Sequence, residues 1–256
     1  MDTLISLISP TQMVVAFVVA LAAGTVKGMV GFALPMILIS GLSSVLSPDL
    51  ALAGLIFPTL VTNGMQALRQ GRAAAVESVK RFKVFLLVGL VFLLASAQLV
   101  RVLPQSVMLL IIGVPVMGFA LMQIAGRNIV LHSANRRVEA SVAAVAGLIG
   151  GVSGVWGPPT VAYLTALGTE KTEQMRVQGV IYGLGAIALL FAHIGSGVVR
   201  AETAPFSVAM VVPAVIGMWI GGKLQDRIDQ SAFKKATLWV LLIASANLIR
   251  RAVMGF

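Results

Sequence analysis

Apolar runs of bilayer-spanning length recur from one end of this chain to the other, which leaves few folds open to it. Eight can be read, at roughly 12–46, 49–68, 84–100, 106–125, 140–168, 174–194, 205–221 and 236–254. About 20 apolar residues cross a ~30 Å hydrocarbon core as a helix. A helix also satisfies its own backbone groups where no water can reach them. Only 11% of the 256 residues are charged, against about a quarter in a soluble domain. The sequence therefore predicts an all-α polytopic membrane protein.

The first charge is Asp2, so the N-terminus does not read as a removable signal, which opens with Lys or Arg. There is no cysteine, which excludes disulfides, thiolate metal sites and cysteine nucleophiles. A net charge of +10 raises the question of nucleic acid. The basic residues sit in short loops between apolar runs, where cytoplasmic retention explains them, and no soluble module remains to bind a nucleic acid.

Segments 12–46 and 140–168 are too long or too interrupted for one straight helix, and each carries Gly and Pro near its middle, residues that weaken or break helices. The two clusters match. An offset of 123 pairs Gly24 with Gly147, Gly28 with Gly151, Gly31 with Gly154 and Pro35 with Pro158. An offset of 125 pairs Leu99, Gln105 and Ser106 with Leu224, Gln230 and Ser231. The chain thus reads as a tandem duplication: a first membrane repeat at 1–126, a basic linker at 127–139 and a second repeat at 140–256. Broken helices at matching positions of two halves point to a transporter site.

Charge placement orients the halves. If each segment crosses once, Lys and Arg divide eleven to seven. If each broken segment goes in and comes back, they divide fourteen to four, with Lys27 inside the membrane completing all 19. The second arrangement fits the positive-inside rule better. It makes the halves inverted repeats, with up to ten helical crossings and both termini outside the cytoplasm.

Where a helix restarts after a break, free N–H groups and the positive end of its dipole form an anion site. The competing reading, that such glycines only let helices pack closely, is weaker for a duplicated cluster ending in proline. Lys27 lies in the first break, about fifteen residues from either end of its run, too far for easy snorkelling. An ionisable residue at that depth is a functional candidate. As a cation it attracts an anionic substrate; in its neutral form it could accept a proton. Its repeat partner is Gly150, so the site is not symmetric. All nine acids fall in termini or connecting stretches, which disfavours cation transport through buried carboxylates.

The candidate substrate contacts are Lys27, Gly28 and Gly31 in the first break, and Ser153, Trp156, Gly157 and Thr160 in the second. Asn63 and Gln66 share a face of the second segment with Thr62, and Gln178 and Tyr182 share one in the sixth. His193, Trp219 and Trp239 read as interfacial residues. No catalytic set, metal site, cofactor site or phosphate-binding Gly-x-x-x-x-Gly-Lys-Ser/Thr loop is present. An enzyme is therefore not expected.

Two halves that each open with a Gly-rich break and a proline, a central basic linker and the Gly221-Gly222-Lys223 stretch resemble the TauE/SafE family of sulfite exporter-like permeases over essentially the whole chain. The pattern departs from the family at Lys27 and Met29, and at Val155-Trp156. The resemblance implies a multi-pass protein of the bacterial inner (cell) membrane. It further implies a secondary transporter of sulfite, sulfonates or related organosulfur or carboxylate anions. The expected mechanism holds the anion between the two broken helices and moves it by alternating access. An anion channel and a non-transporting assembly subunit are the rival readings. The expected partners are a small anion and the lipid bilayer, with homodimerisation left open.

Overall fold

The computed structural model describes residues 8–42, 44–99, 104–127, 130–131, 135–153, 156–195 and 199–254. Ser153 and His193 lie in helices, but their side chains fall outside the described set, as do all of Asp2, Arg101, Gly154 and Val155. Eleven helices occur among the described residues, and no strand. They are α1 Pro10–Val30, α2 Leu34–Leu42, α3 Pro48–Leu68, α4 Arg72–Arg81, α5 Lys83–Leu99 and α6 Gln105–Ile124. After the linker come α7 Arg136–Ser153, α8 Gly157–Ala166, α9 Lys171–Gly195, α10 Ala204–Arg227 and α11 Gln230–Met254. Five helices are long and apolar enough to span a bilayer: α1, α3 from Leu50, α9 as far as Phe191, α10 and α11.

Both long segments divide as their Gly and Pro content predicts, the first between α1 and α2, the second between α7 and α8. The short basic helix α4 was not among the predicted segments, because it is too brief and too polar to read as a span.

Helix starts follow local chemistry. Ser9 and Gln12 form a reciprocal capping box at α1. The Asn135 side-chain oxygen accepts from the Arg137 N–H at α7, and Asp229 accepts from the Ala232 N–H at α11. At α9, the Glu170 carboxylate accepts from the N–H groups of Thr172 and Glu173 and from the Thr172 hydroxyl.

The chain forms two compact units, each drawing helices from both halves of the sequence. The first holds Met1–Arg72 and Met175–Ile228, the second Ala73–Gln174 and Asp229–Phe256. In the first unit, Ala16, Ala20 and Ala23 of α1 pack with Leu34, Leu38 and Leu42 of α2. Ala51, Leu55 and Ile56 of α3 and Phe206, Met210 and Ala214 of α10 complete this core. The α1–α10 seam is backbone against backbone. A Cβ on Gly24 would stand 2.1 Å from the Ala214 carbonyl oxygen, and one on Gly217 2.1 Å from that of Leu21. Gly28 and Gly221 make the same approach to Met218 and Thr25. In a bilayer, where lipid is as apolar as leucine, such close contact drives association.

In the second unit α5 packs along α7, and α11 along α6. Gly147 of α7 rests against Gly89 and Phe92 of α5. The buried Glu139 carboxylate accepts from the Phe85 N–H in the first turn of α5 (3.0 Å). Outward faces stay apolar: Leu87 and Val91 on α5, Phe191 on α9 and Ile243 on α11 are all well exposed. Hydrocarbon, not water, suits such surfaces.

Candidate functional site

The chain leaves the helical path for three residues after Val30. Gly31 is left-handed (φ 89°) and its N–H donates to the Lys27 carbonyl oxygen at 2.7 Å, a glycine C-cap. Ala33 follows with φ 73°, the one non-glycine with positive φ among the described residues. That conformation is strained for a residue with a Cβ. Leu34 then opens α2, with Pro35 behind it. The N–H groups of Phe32, Ala33 and Leu34 have no partner among the described residues. They lie at the start of α2, and a helix start favours an anion.

Gln66 of α3 fastens this break. Its amide nitrogen donates to the Gly31 carbonyl (3.0 Å) and to the Met175 carbonyl of α9 (2.7 Å). The missing Cβ of Gly31 lets the Gln178 side-chain oxygen and the Met175 sulfur come close; a Cβ there would stand 2.1 Å and 2.8 Å from them. One turn along α9, Gly179 sits on the backbone of Gln66 and Ala67. The break in α1, the face of α3 and the start of α9 are thus tied together within the first unit.

Lys27 lies at their centre. It is 1% exposed, and its ammonium donates to the Asn63 side-chain oxygen. The Tyr182 ring centroid stands 6.0 Å from Nζ, at the outer edge of a cation–π contact. Among the described residues no carboxylate pairs with it, and the only buried acid there, Glu139, belongs to the second unit. A buried cation without a counter-charge is costly.

Of the predicted contacts, Lys27, Gly31, Asn63, Gln66, Gln178 and Tyr182 come together here. Gly28 belongs to the first unit as well but turns its Cα to the Met218 carbonyl of α10, the packing role weighed against it. The other four belong to the second unit. There the Trp156 indole covers Gly150, whose Cβ would meet the ring at 2.9 Å. Trp156 leads into α8 through Gly157 and Pro158, and the Thr160 hydroxyl donates to the Trp156 carbonyl (3.0 Å). Where the first half has a buried cation, the second has an aromatic ring over a glycine.

Sequence reading missed Thr59, buried on α3 one turn before Asn63 with no partner for its hydroxyl. The i, i+4, i+7 spacing of Thr59, Asn63 and Gln66 was the signal that could have found it. It also missed Arg69, whose Nη2 donates to both Asp226 oxygens (2.7 Å each) and whose Nη1 donates to Gln225 Oε1 (3.1 Å), closing one end of α3 against α10.

A family model described as Sulfite exporter TauE/SafE matches residues 16–248. No curated protein and no solved structure gives a significant match.

Proposed function

Because this chain belongs to the sulfite exporter TauE/SafE family, we propose that it is a secondary transporter, exporter or permease, of small anions. Sulfite, sulfonates and related organosulfur or carboxylate anions are the substrate class. The observation that carries this reading is Lys27: buried, bonded to a neutral amide, and, among the described residues, without a carboxylate and beside a helix break whose N–H groups have no partner. The anion supplies the missing counter-charge and is held by Lys27, Asn63 and the N–H groups of the α1–α2 break. Release leaves the lysine again with a neutral partner, so binding need not be tight at either membrane face. A bacterial inner membrane and alternating access belong to the same reading.

The inverted-repeat arrangement is part of the proposal. It is supported by a contact that recurs in equivalent form. Gly24 meets Ala214 in the first unit, and Gly147 meets Gly89 in the second. Gly147 lies 123 residues after Gly24, and Ala214 lies 125 after Gly89, the two offsets at which the halves align.

Uptake of labelled sulfite, sulfate, thiosulfate, a small sulfonate and a small carboxylate into proteoliposomes tests the transport reading. Saturable uptake of one or two of them is expected. Non-saturating conductance would favour a channel. No flux of any anion through folded, inserted protein would leave a non-transporting subunit.

A further inference from the structure

The groups around Lys27 are not all hydrogen-bond donors, and the exception limits what the site can hold. Thr59, Asn63 and Gln66 form one stripe of α3 and are each no more than 3% exposed. The Lys27 ammonium has three N–H groups and, among the described residues, uses one, on Asn63. The Asn63 amide nitrogen has no hydrogen-bond partner among the described residues, and the buried Thr59 hydroxyl has none. Phe32, Ala33 and Leu34 offer backbone N–H groups. Against these donors stands one committed acceptor. The Gln66 amide cannot turn over, because its nitrogen already donates to the Gly31 and Met175 carbonyls. Its oxygen therefore faces away from both, fully buried and without a partner. A buried carbonyl left in this state destabilises the fold unless something donates to it.

The charge is equally restrictive. One cation and, among the described residues, no buried carboxylate beside it balance a single negative charge; a dianion would leave one charge uncompensated in a poorly polarisable interior. We infer that the Lys27 site selects monoanions that carry their own O–H or N–H donor, the anionic end lying on Lys27 and the break, the donor on Gln66 Oε1. Hydrogen sulfite is the simplest member of this class; the sulfite dianion and plain alkylsulfonates lie outside it. This inference rests on the reading of Lys27 as the transported anion's counter-charge.

Wild-type protein in proteoliposomes tests it without any variant that might misfold. The probes are labelled 2-hydroxyethanesulfonate, ethanesulfonate and 1,2-ethanedisulfonate, with sulfite as reference. The hydroxylated monoanion is expected to half-saturate at a concentration about tenfold below that of ethanesulfonate, since a site with a buried polar group discriminates against ligands that leave it unpaired. The disulfonate is expected to be excluded. Equal half-saturation by the two monosulfonates overturns the donor requirement, and uptake of the disulfonate overturns the charge requirement; transport itself survives both. Uptake of sulfite with refusal of 2-hydroxyethanesulfonate also overturns the inference. Absence of flux for all four, sulfite included, removes the transport reading instead.

Discussion

The Lys27 ammonium donates to the Asn63 side-chain oxygen, and one turn along α3 Gln66 holds the carbonyl of Gly31, four residues after Lys27. One face of α3 thereby fixes both the cation and the helix break beside it. Anything that shifts α3 against α1 moves the charge and the free N–H groups together.

The α1–α10 seam gives the plainest stability prediction. Gly217→Ala forces a methyl to within 2.1 Å of the Leu21 carbonyl oxygen, and rigid backbone cannot yield as a side chain can. Overpacking costs about 1–3 kcal/mol, occasionally more, and this site is expected at the upper end. Gly64→Ala is the control. It sits within α3 with nothing within 4 Å of its Cβ, so alanine should gain about 0.5–1 kcal/mol from helix propensity. Thermal unfolding in detergent should separate the two by sign.

The break itself carries strain that can be removed. Ala33→Gly relieves a positive φ worth about 1–2 kcal/mol, partly offset by the looser unfolded chain, so a net gain of about 0.5–1 kcal/mol is expected. Gly31→Ala should do the opposite, adding left-handed strain and displacing the Gln178 side chain. If Ala33→Gly destabilises, the strained conformation is not that of the folded protein.

Topology can be read with single cysteines, because the chain has none of its own. Cysteines at Lys80 and Lys171 should label from the same side of the membrane, and one at Glu202 from the other. A single crossing for each of the eight segments would instead separate Lys80 from Lys171.

Glu170 supplies a pH-dependent contribution outside the spans. Its partial burial pushes the carboxyl up. The Thr172 hydroxyl, the N–H groups of Thr172 and Glu173, and nearby Lys171 outweigh that and hold it below its ordinary value of 4.5. A lowered folded-state value stabilises above the ordinary range and loses that contribution as pH falls through it. Glu170→Gln should therefore lower the melting temperature at neutral pH and leave it nearly unchanged well below pH 4.5.

Much of this was legible in the sequence, for identifiable reasons. Long apolar runs gave the five helices long enough to cross a bilayer, and the Gly and Pro clusters gave both breaks, since Gly31 and Pro35 act through local backbone geometry. That Asn63 and Gln66 share a face of α3, and Gln178 and Tyr182 one of α9, was legible through helical spacing. What spacing could not tell was which chain neighbours meet across space. Gly24 and Gly28 look like part of the break, yet they face α10, and their partners Ala214 and Met218 lie about 190 residues away. Two compact units that each mix helices from both halves of the chain are likewise invisible to a reading that follows sequence order.

Lys27→Met tests the central claim most directly when made alone and with Asn63→Leu. If Lys27 serves structure, the double variant should unfold more easily and carry anions in proportion to the folded protein that remains. If it serves binding, exchanging a buried charge and its amide for apolar groups of similar volume should be neutral or stabilising by about 1–4 kcal/mol, while flux is lost. The account predicts a protein at least as thermally stable as wild type that moves no anion in proteoliposomes. A folded double variant that still transports at the wild-type rate would contradict it.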